Sequence, residues 1–409
     1  MHPSLRILIR AMFAFMLIWQ PMLQIQAQTD TPETLFDTTT VNASITDELL
    51  IDVGDIPTGL TTTPDGRLLI ALKYGAIKVF DFQSGRIIKD NALNIGGMLC
   101  TDSERGLESV TVDTDFANNH YIYVYFTHNG GTGRNDCAGN RSANNRVMRF
   151  QLNDNNTTSD GTLIIGTIVS LCGNHNGGDL HFGAEDHKLY ISVGDGGCSI
   201  DDWAQTGRSN TNARQMSLLA GTILRLNPDG SIPSDNPFAN ATGAVRCGNS
   251  APRKDSSRVC QEIFATGLRN PFKMAFKSGS NDFYIHDVGQ DSWEEINRGL
   301  RGADYGWNLR EGSGSGRADL TDPIYNYGHQ DGLCSITGGA FVTWPTLYDD
   351  AYFFGDYCGT SVYRLVSTEN GFRREAVVQG YTTYGGVVAM HFDAQSKTLY
   401  YSLGNGMCQ

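Results

Sequence analysis

A three-strand pattern recurs six times along the chain, and few folds can absorb it. Each of the first five copies has an apolar alternating run, a polar turn, a second run rich in Tyr, Ile and Val, a glycine turn and a third run. The first passes from Gly59-Leu60 through the turn Pro64-Asp65-Gly66-Arg67 and Leu68-Leu69-Ile70-Ala71 to Ala76-Ile77-Lys78-Val79-Phe80. The second holds Gly106-Leu107, Tyr121 to Phe126 and Arg146 to Phe150, and the third runs from Leu180 through Leu189–Val193 to Thr222–Leu226. The fourth spans Pro271 to Asn297, the fifth Gly338 to Leu365 and the sixth Val387 to Ser402. Alternation with period two is the mark of a strand with one buried face. A unit that cannot bury its face alone must stack on its neighbours. The expected fold is therefore all-β, a six-bladed β-propeller. Only Asn212 to Leu219 reads as a short helix. The sixth copy lacks a third strand before the chain ends at Gln409, so Ser44 to Val53 is expected to supply an outer strand to the last blade.

Residues 1–27 stand apart. Arg6 and Arg10 precede an apolar run, Ala11 to Trp19, and Ile25-Gln26-Ala27 resembles a small-residue cleavage site. This reads as a secretory signal peptide, because the apolar run is too short to cross a bilayer. Residues 28–47 read as a flexible leader and 48–409 as the propeller, secreted or periplasmic, with no membrane span in the mature chain. The formal charge of −13 argues against nucleic acid and anionic membrane as partners. It leaves room for calcium, which takes oxygen ligands. Nine cysteines in an exported chain imply disulfides. Cys247 with Cys260 and Cys334 with Cys358 are the expected pairs. Cys172 with Cys198 is a further one that would fix both ends of the hairpin carrying His175, and Cys408 is the expected odd thiol.

The stretch Leu171 to Gly183 reads LCGNHNGGDLHFG. Its glycines and asparagines form a turn, and an alternating run follows, which places His175 at the rim of a sheet. A neutral imidazole there can take a proton near neutral pH. The plainer reading is a loop histidine that only bonds the backbone. In a propeller the loops entering the innermost strands ring one mouth of the central channel. Those loops carry Glu104-Arg105, His175, Arg269-Asn270 and Thr337. Val193 to Gly197 forms a tight acidic turn around Asp195, a candidate anchor for a cation.

From about Asp52 to Gly404 the chain resembles the glucose/sorbosone dehydrogenase family of soluble quinoprotein sugar dehydrogenases, six-bladed propellers. The motifs that carry the resemblance are HNGGDLHFG, GTILRLNPDGSIPSDNPF (Gly221 to Phe238), ATGLRNPFKMAF (Ala265 to Phe276) and DVGQDSWEEIN (Asp287 to Asn297), followed by Gly302-Ala303-Asp304-Tyr305-Gly306-Trp307. The resemblance implies oxidation of an aldose sugar at the anomeric carbon, with pyrroloquinoline quinone (PQQ) and Ca2+. It makes His175 the general base. Arg269 and Asn270 would contact the quinone, with Arg269 stabilising negative charge on its oxygen. Calcium would be held at Gly289 and Gln290 through backbone carbonyls, with Asp291 as a nearby carboxylate.

The departures are as specific as the matches. Glu104, at the cofactor side of the mouth, stands where the family's enzymes place a glutamine, and Gly289-Gln290 stands where they have Gly-Pro. A lysine expected near Cys358 and two arginines expected near Tyr384 and Gly386, which hold the quinone's carboxylates, are missing. The Cys334 to Gly339 and Phe354 to Cys358 stretches resemble hedgehog-interacting-protein-like propellers instead. The alternative function is thus a non-catalytic propeller that binds a protein or glycan ligand.

Overall fold

The computed structural model describes residues 4–9, 46–248, 250–314, 316–330, 332–344, 348–379 and 385–404. Five antiparallel four-stranded blades succeed one another in chain order. The first is Pro57–Thr62, Arg67–Leu72, Ala76–Asp81 and Arg86–Asn94. The second is Leu107–Val112, Tyr121–His128, Asn144–Gln151 and Thr162–Val169. The third is Leu180–Phe182, Leu189–Val193, Thr222–Leu226 and Ile263–Ala265. The fourth is Pro271–Phe276, Phe283–Asp287, Trp293–Arg298 and Tyr325–Gly328. The fifth is Ile336–Trp344, Tyr348–Asp356, Ser361–Thr368 and Gly371–Gln379.

The expectation of six like blades is corrected by the last sheet. Among the described residues its own strands are the hairpin Val387–Asp393 with Thr398–Leu403. The sheet is completed by Ser4–Ile9 and Thr46–Asp52, which run parallel rather than antiparallel. The propeller therefore has five regular blades and one mixed closing sheet. Thr46–Asp52 does take the outermost place, but Ser4–Ile9 separates it from Thr398–Leu403. Ser4–Ile9 belongs to the expected signal peptide; the rest of that peptide, the bulk of the leader and Cys408 lie outside the described residues. No described helix is long and apolar enough to cross a membrane.

The core lies between blades, as the repeat pattern requires. Leu69, Val79, Val110, Ile122 and Phe126 interlock the first two blades. Trp344, Phe353, Val387 and Tyr401 join the fifth blade to the closing hairpin, and Leu60, Ile70, Ala389 and Tyr400 join that hairpin to the first blade. Ring closure is also polar: Ser402 Oγ donates to the Pro57 carbonyl at 2.9 Å, and the His391 ring bonds Thr62.

The expected helix at Asn212 to Leu219 is only a 3-10 turn over Asn212–Arg214. The Asn212 side chain bonds the carbonyls of Asp195 and Cys198 and the Ile200 amide, and Cys260 draws Met216 into a different pairing. These bonds reach back to the Asp195 to Ile200 loop and hold Asn212 against it instead of in a helix ladder. Among the described residues the α-helix that does form is one turn, Phe116–Asn119. Four disulfides are present: Cys172–Cys198, Cys247–Cys260 and Cys334–Cys358 as read from sequence, and Cys100–Cys137, which the spacing of the cysteines does not suggest.

Candidate active site

The loops that enter the innermost strands meet at one mouth, and His175 is held there from three sides. Its backbone has φ +53°, in the left-handed region that non-glycine residues rarely adopt. Its amide donates to Glu104 Oε2 at 2.7 Å and its carbonyl accepts from Gly196 at 3.1 Å. Its Nδ1 lies 2.7 Å from Asp195 Oδ1. The following residue explains the rest of the motif. Asn176 accepts from Ser170 Oγ and Asn145, and donates to the Gly173 carbonyl, which locks the turn. Gly178 is required because a Cβ there would fall 2.8 Å from Glu108 and Tyr125 side-chain atoms.

Asp195 is the residue that sequence reasoning placed as a cation anchor. The structure uses its carboxylate otherwise. Oδ1 takes His175 and the Gly197 amide, and Oδ2 takes the Trp307 indole N–H at 2.8 Å. Burial opposes its charge, but His175 and then Arg269 outweigh that and hold it below the usual carboxylate range. An ionised carboxylate only accepts, so His175 Nδ1 carries the proton of that bond, and Nε2 is the ring nitrogen turned from it. Among the described residues nothing hydrogen-bonds that Nε2.

Glu104 and Asn270 join His175 directly. Glu104 Oε2 also accepts from Asn270 Nδ2 at 3.2 Å, and Asn270 Oδ1 accepts from Gly177 at 3.0 Å. Asp287 accepts from the amides of both Arg269 and Asn270, which pins the pair. Burial, then the neighbouring Glu295, raise Asp287 well above the usual range. Arg269 is a step further out. Its Nη1 donates to the Val288 carbonyl at 2.9 Å, and Nε and Nη2 both donate to Gln290 Oε1, at 3.1 and 2.9 Å. Its guanidinium lies 5.7 Å from the Trp307 ring, and Arg208 lies at the same distance from that ring. Arg208 is a cation at the mouth that the sequence reading did not find.

Gly289, Gln290 and Asp291 form a tight loop. The amides of Gln290, Asp291, Ser292 and Trp293 all converge on Glu311 Oε1, at 2.8 to 3.1 Å. Burial works against the charge of Glu311, but these amides hold its carboxyl below the usual range. With the amides turned onto Glu311, the carbonyls of Gly289 and Gln290 accept no hydrogen bond among the described residues. They are hard oxygen donors of the kind calcium takes, and Asp291 is exposed beside them. The side-chain clusters with metal-ligand spacing among the described residues each contain two disulfide cysteines, so they are not metal sites.

The donor set also suits a quinone. A carbonyl oxygen, that of Gln290, already occupies the Arg269 fork, so the fork accepts a ligand of that chemistry. At the positions where cations were expected, Cys358 is in a disulfide and Tyr384 lies outside the described residues. A Cβ on Gly386 would fall 1.9 Å from the Tyr357 carbonyl, so this backbone leaves no room for an arginine there.

The frame of five regular blades and a closing sheet is that of a β-propeller, and its mouth holds the His175–Asp195 pair. The glucose/sorbosone dehydrogenase family model matches residues 54–382, and the chain belongs to that family. It is 27% identical over 269 residues to the aldose sugar dehydrogenase YliI of Escherichia coli (strain K12), covering 65% of this chain and 62% of that protein. It is 27% identical over 259 residues to quinoprotein glucose dehydrogenase B of Acinetobacter calcoaceticus, covering 61% of this chain and 47% of that protein. Each match thus spans less than two thirds of the relative's length. The fold also matches the apo crystal structure of the soluble aldose sugar dehydrogenase from Escherichia coli, with TM-score 0.67, 22% identity, and 86% of this chain and 94% of that one covered.

Proposed function

We propose that this protein is an exported quinoprotein-type dehydrogenase that oxidises an aldose sugar at its anomeric carbon, using PQQ and calcium. The observation that carries the reading is the His175–Asp195 pair, whose Nε2 takes no hydrogen bond among the described residues. Family membership and the relatives' printed names support it.

The chain's own residues have definite tasks in this reaction. His175 Nε2 takes the proton of the anomeric hydroxyl. Asp195 stabilises the imidazolium that results, and the Trp307 indole keeps Asp195 oriented. Arg269 and Asn270 offer N–H donors to the acceptor's oxygen, where negative charge develops. Arg208 adds a second positive charge at the same rim. Gly289 and Gln290 carbonyls, with Asp291, would hold the calcium. When bound, the quinone supplies the hydride acceptor and calcium polarises it.

Residues 1–27 act as the export signal in this reading, and its removal takes Ser4–Ile9 out of the closing sheet. N-terminal sequencing of protein recovered from the cell exterior or periplasm checks that point. The function itself is tested by reconstituting the purified protein with calcium and PQQ, following binding by absorption, and assaying dye reduction with several aldoses. Dye reduction that depends on both quinone and sugar is expected. Absence of quinone binding at millimolar concentration would remove the proposal.

A further inference from the structure

We propose that the Cys172–Cys198 disulfide is a positioning element for the His175–Asp195 pair and makes that pair sensitive to thiols. Cys172 stands three residues before His175, and Cys198 three residues after Asp195. The strands that carry the two loops, Leu180–Phe182 and Leu189–Val193, pair at three positions only, ending at Leu180 opposite Ile191. Two further bonds, Gly178 to the Ser192 carbonyl and Ser192 to the Asp179 carbonyl, finish that ladder. The pair lies beyond it, in the stretch between the ladder and the disulfide.

On the outer side of the pair little else ties one loop to the other. Gly196 donates to the His175 carbonyl and Cys172 donates to the Gly196 carbonyl, both at 3.1 Å. The Asn212 side chain holds the Asp195 loop, but to its own blade and not to His175. Meanwhile the loops touch backbone to backbone. A Cβ on Gly194 would fall 2.0 Å from the His175 carbonyl, and one on Gly197 would fall 2.0 Å from Asn174 Oδ1. His175 also keeps a left-handed backbone, a conformation that persists only where its surroundings over-determine it. The disulfide closes the ring of constraints around this residue.

The same bond is open to attack. Cys172 is exposed, whereas the other seven bridged cysteines are buried or half-buried. A thiolate that attacks the Cys172 sulfur displaces Cys198 and forms a mixed disulfide there. A second thiol of the same reductant then releases Cys172. Two protein thiols and one oxidised dithiol result, so a dithiol is the reductant required.

The catalytic part of this inference rests on the reading of His175 as base, and the experiment separates the two. Cys172→Ser/Cys198→Ser is compared with wild type and with Cys247→Ser/Cys260→Ser. Amide exchange is followed across residues 171–198, together with the NMR signal of the Trp307 indole N–H, which reports on Asp195. In the first variant, exchange at His175 and Gly196 is expected to rise about tenfold or more, and the indole signal to move. The sugar kcat is expected to fall about tenfold or more at nearly constant KM. The control pair leaves all three unchanged.

If the variant does not fold, wild-type protein is treated with limiting dithiothreitol and its free thiols are alkylated and mapped. Cys172 and Cys198 are expected to be labelled first, with the indole signal shifting on reduction and returning on reoxidation. Unchanged exchange and an unchanged indole signal after this bond is opened overturn the proposal. A shifted indole signal in a protein that turns over no sugar, oxidised or reduced, supports the positioning role and rejects the base reading instead.

Discussion

The third blade carries two histidine–aspartate pairs, His175 with Asp195 and His181 with Asp179, and they are built in opposite senses. At the mouth His175 meets Asp195 through Nδ1, which leaves Nε2 directed away from its partner and free. In the channel His181 meets Asp179 through Nε2 at 3.0 Å, and its ring stacks on Phe276 at 5.3 Å. Asp195 accepts from a neutral indole and an amide besides its histidine, and the Arg269 charge acts on it without touching it. Asp179 has Lys273 3.6 Å away and accepts from Ser109 and the Met274 amide. Burial opposes its charge, yet Lys273 and then His181 drive it well below the usual range. The channel pair is an internal brace across the blades, since Lys273 also donates to the carbonyls of Thr58 and Glu108. A histidine beside a carboxylate therefore does not define a reactive site. What matters is which ring nitrogen is engaged and whether the carboxylate is already neutralised by a fixed cation.

Exchange of the two histidines should break the comparison most visibly. His175→Ala is expected to lower sugar turnover by about 10² to 10⁴, while His181→Gln leaves kcat within a few fold. Steady-state dye reduction on the reconstituted protein measures both. An equal loss in the two variants would mean that the mouth pair holds no special role.

Stability should respond in the reverse order. Asp179→Ala leaves the Lys273 ammonium buried without its carboxylate, and breaking such a pair costs about 3 kcal/mol. Asp195→Asn keeps shape and most bonds, so its loss in denaturant midpoint should be smaller than that of Asp179→Ala. Its effect appears in turnover, because a neutral amide in place of the carboxylate cannot stabilise an imidazolium.

The pH response sharpens the contrast further. Glu108 lies on the innermost strand of the second blade; burial pushes its carboxyl up to about 7, against the pull of Lys73 and Lys273. A raised acid binds more protons folded than unfolded, so its contribution to stability is present at low pH and is lost as pH rises from the ordinary glutamate range to about 7. His391 has the opposite sign: burial lowers it to about 4, so stability falls as pH drops below the ordinary histidine range toward that value. Glu108→Gln should flatten the alkaline side by about 1–3 kcal/mol and leave the acid side unchanged. Urea midpoints between pH 4 and 8 (about the window these shifts define) decide it.

Much of this architecture was legible in the residues. Leu68–Ala71 and Tyr121–Phe126 are continuous apolar runs, and they mark central strands because a blade packed between two neighbours is buried on both faces. The convergence of Glu104, His175 and Asn270 follows from the repeat, since each precedes or opens an innermost strand. Asp195 was visible as a turn but not as a partner, because its role depends on two loops meeting. Trp307 reaches Asp195 from 112 residues away, and nothing local announces that contact. Ser4–Ile9 was hidden for another reason: Arg6 set among Leu5, Ile7, Leu8 and Ile9 fits the basic start of an export signal and a strand equally well.

The smallest expected effect concerns the far side of the mouth. Gln290 Oε1 takes two of the Arg269 donors, so a ligand oxygen must displace it before it can use the fork. Each charge-assisted bond contributes about 1.5–3 kcal/mol where water cannot replace it. Gln290 is half-buried and within reach of solvent, so water compensates much of that when the side chain leaves. The net gain on removing it is then about 1 kcal/mol, or about fivefold in affinity. Gln290→Ala should therefore tighten quinone binding by about fivefold in an absorption titration, with the backbone carbonyl at that position still present for calcium. Gln290→Glu should do the reverse, since a carboxylate holds the guanidinium harder and repels the quinone's own acids. If both variants bind quinone as wild type does, Arg269 is a structural arginine braced against Val288 and Trp307, and the ligand is held by the His175 side of the mouth alone.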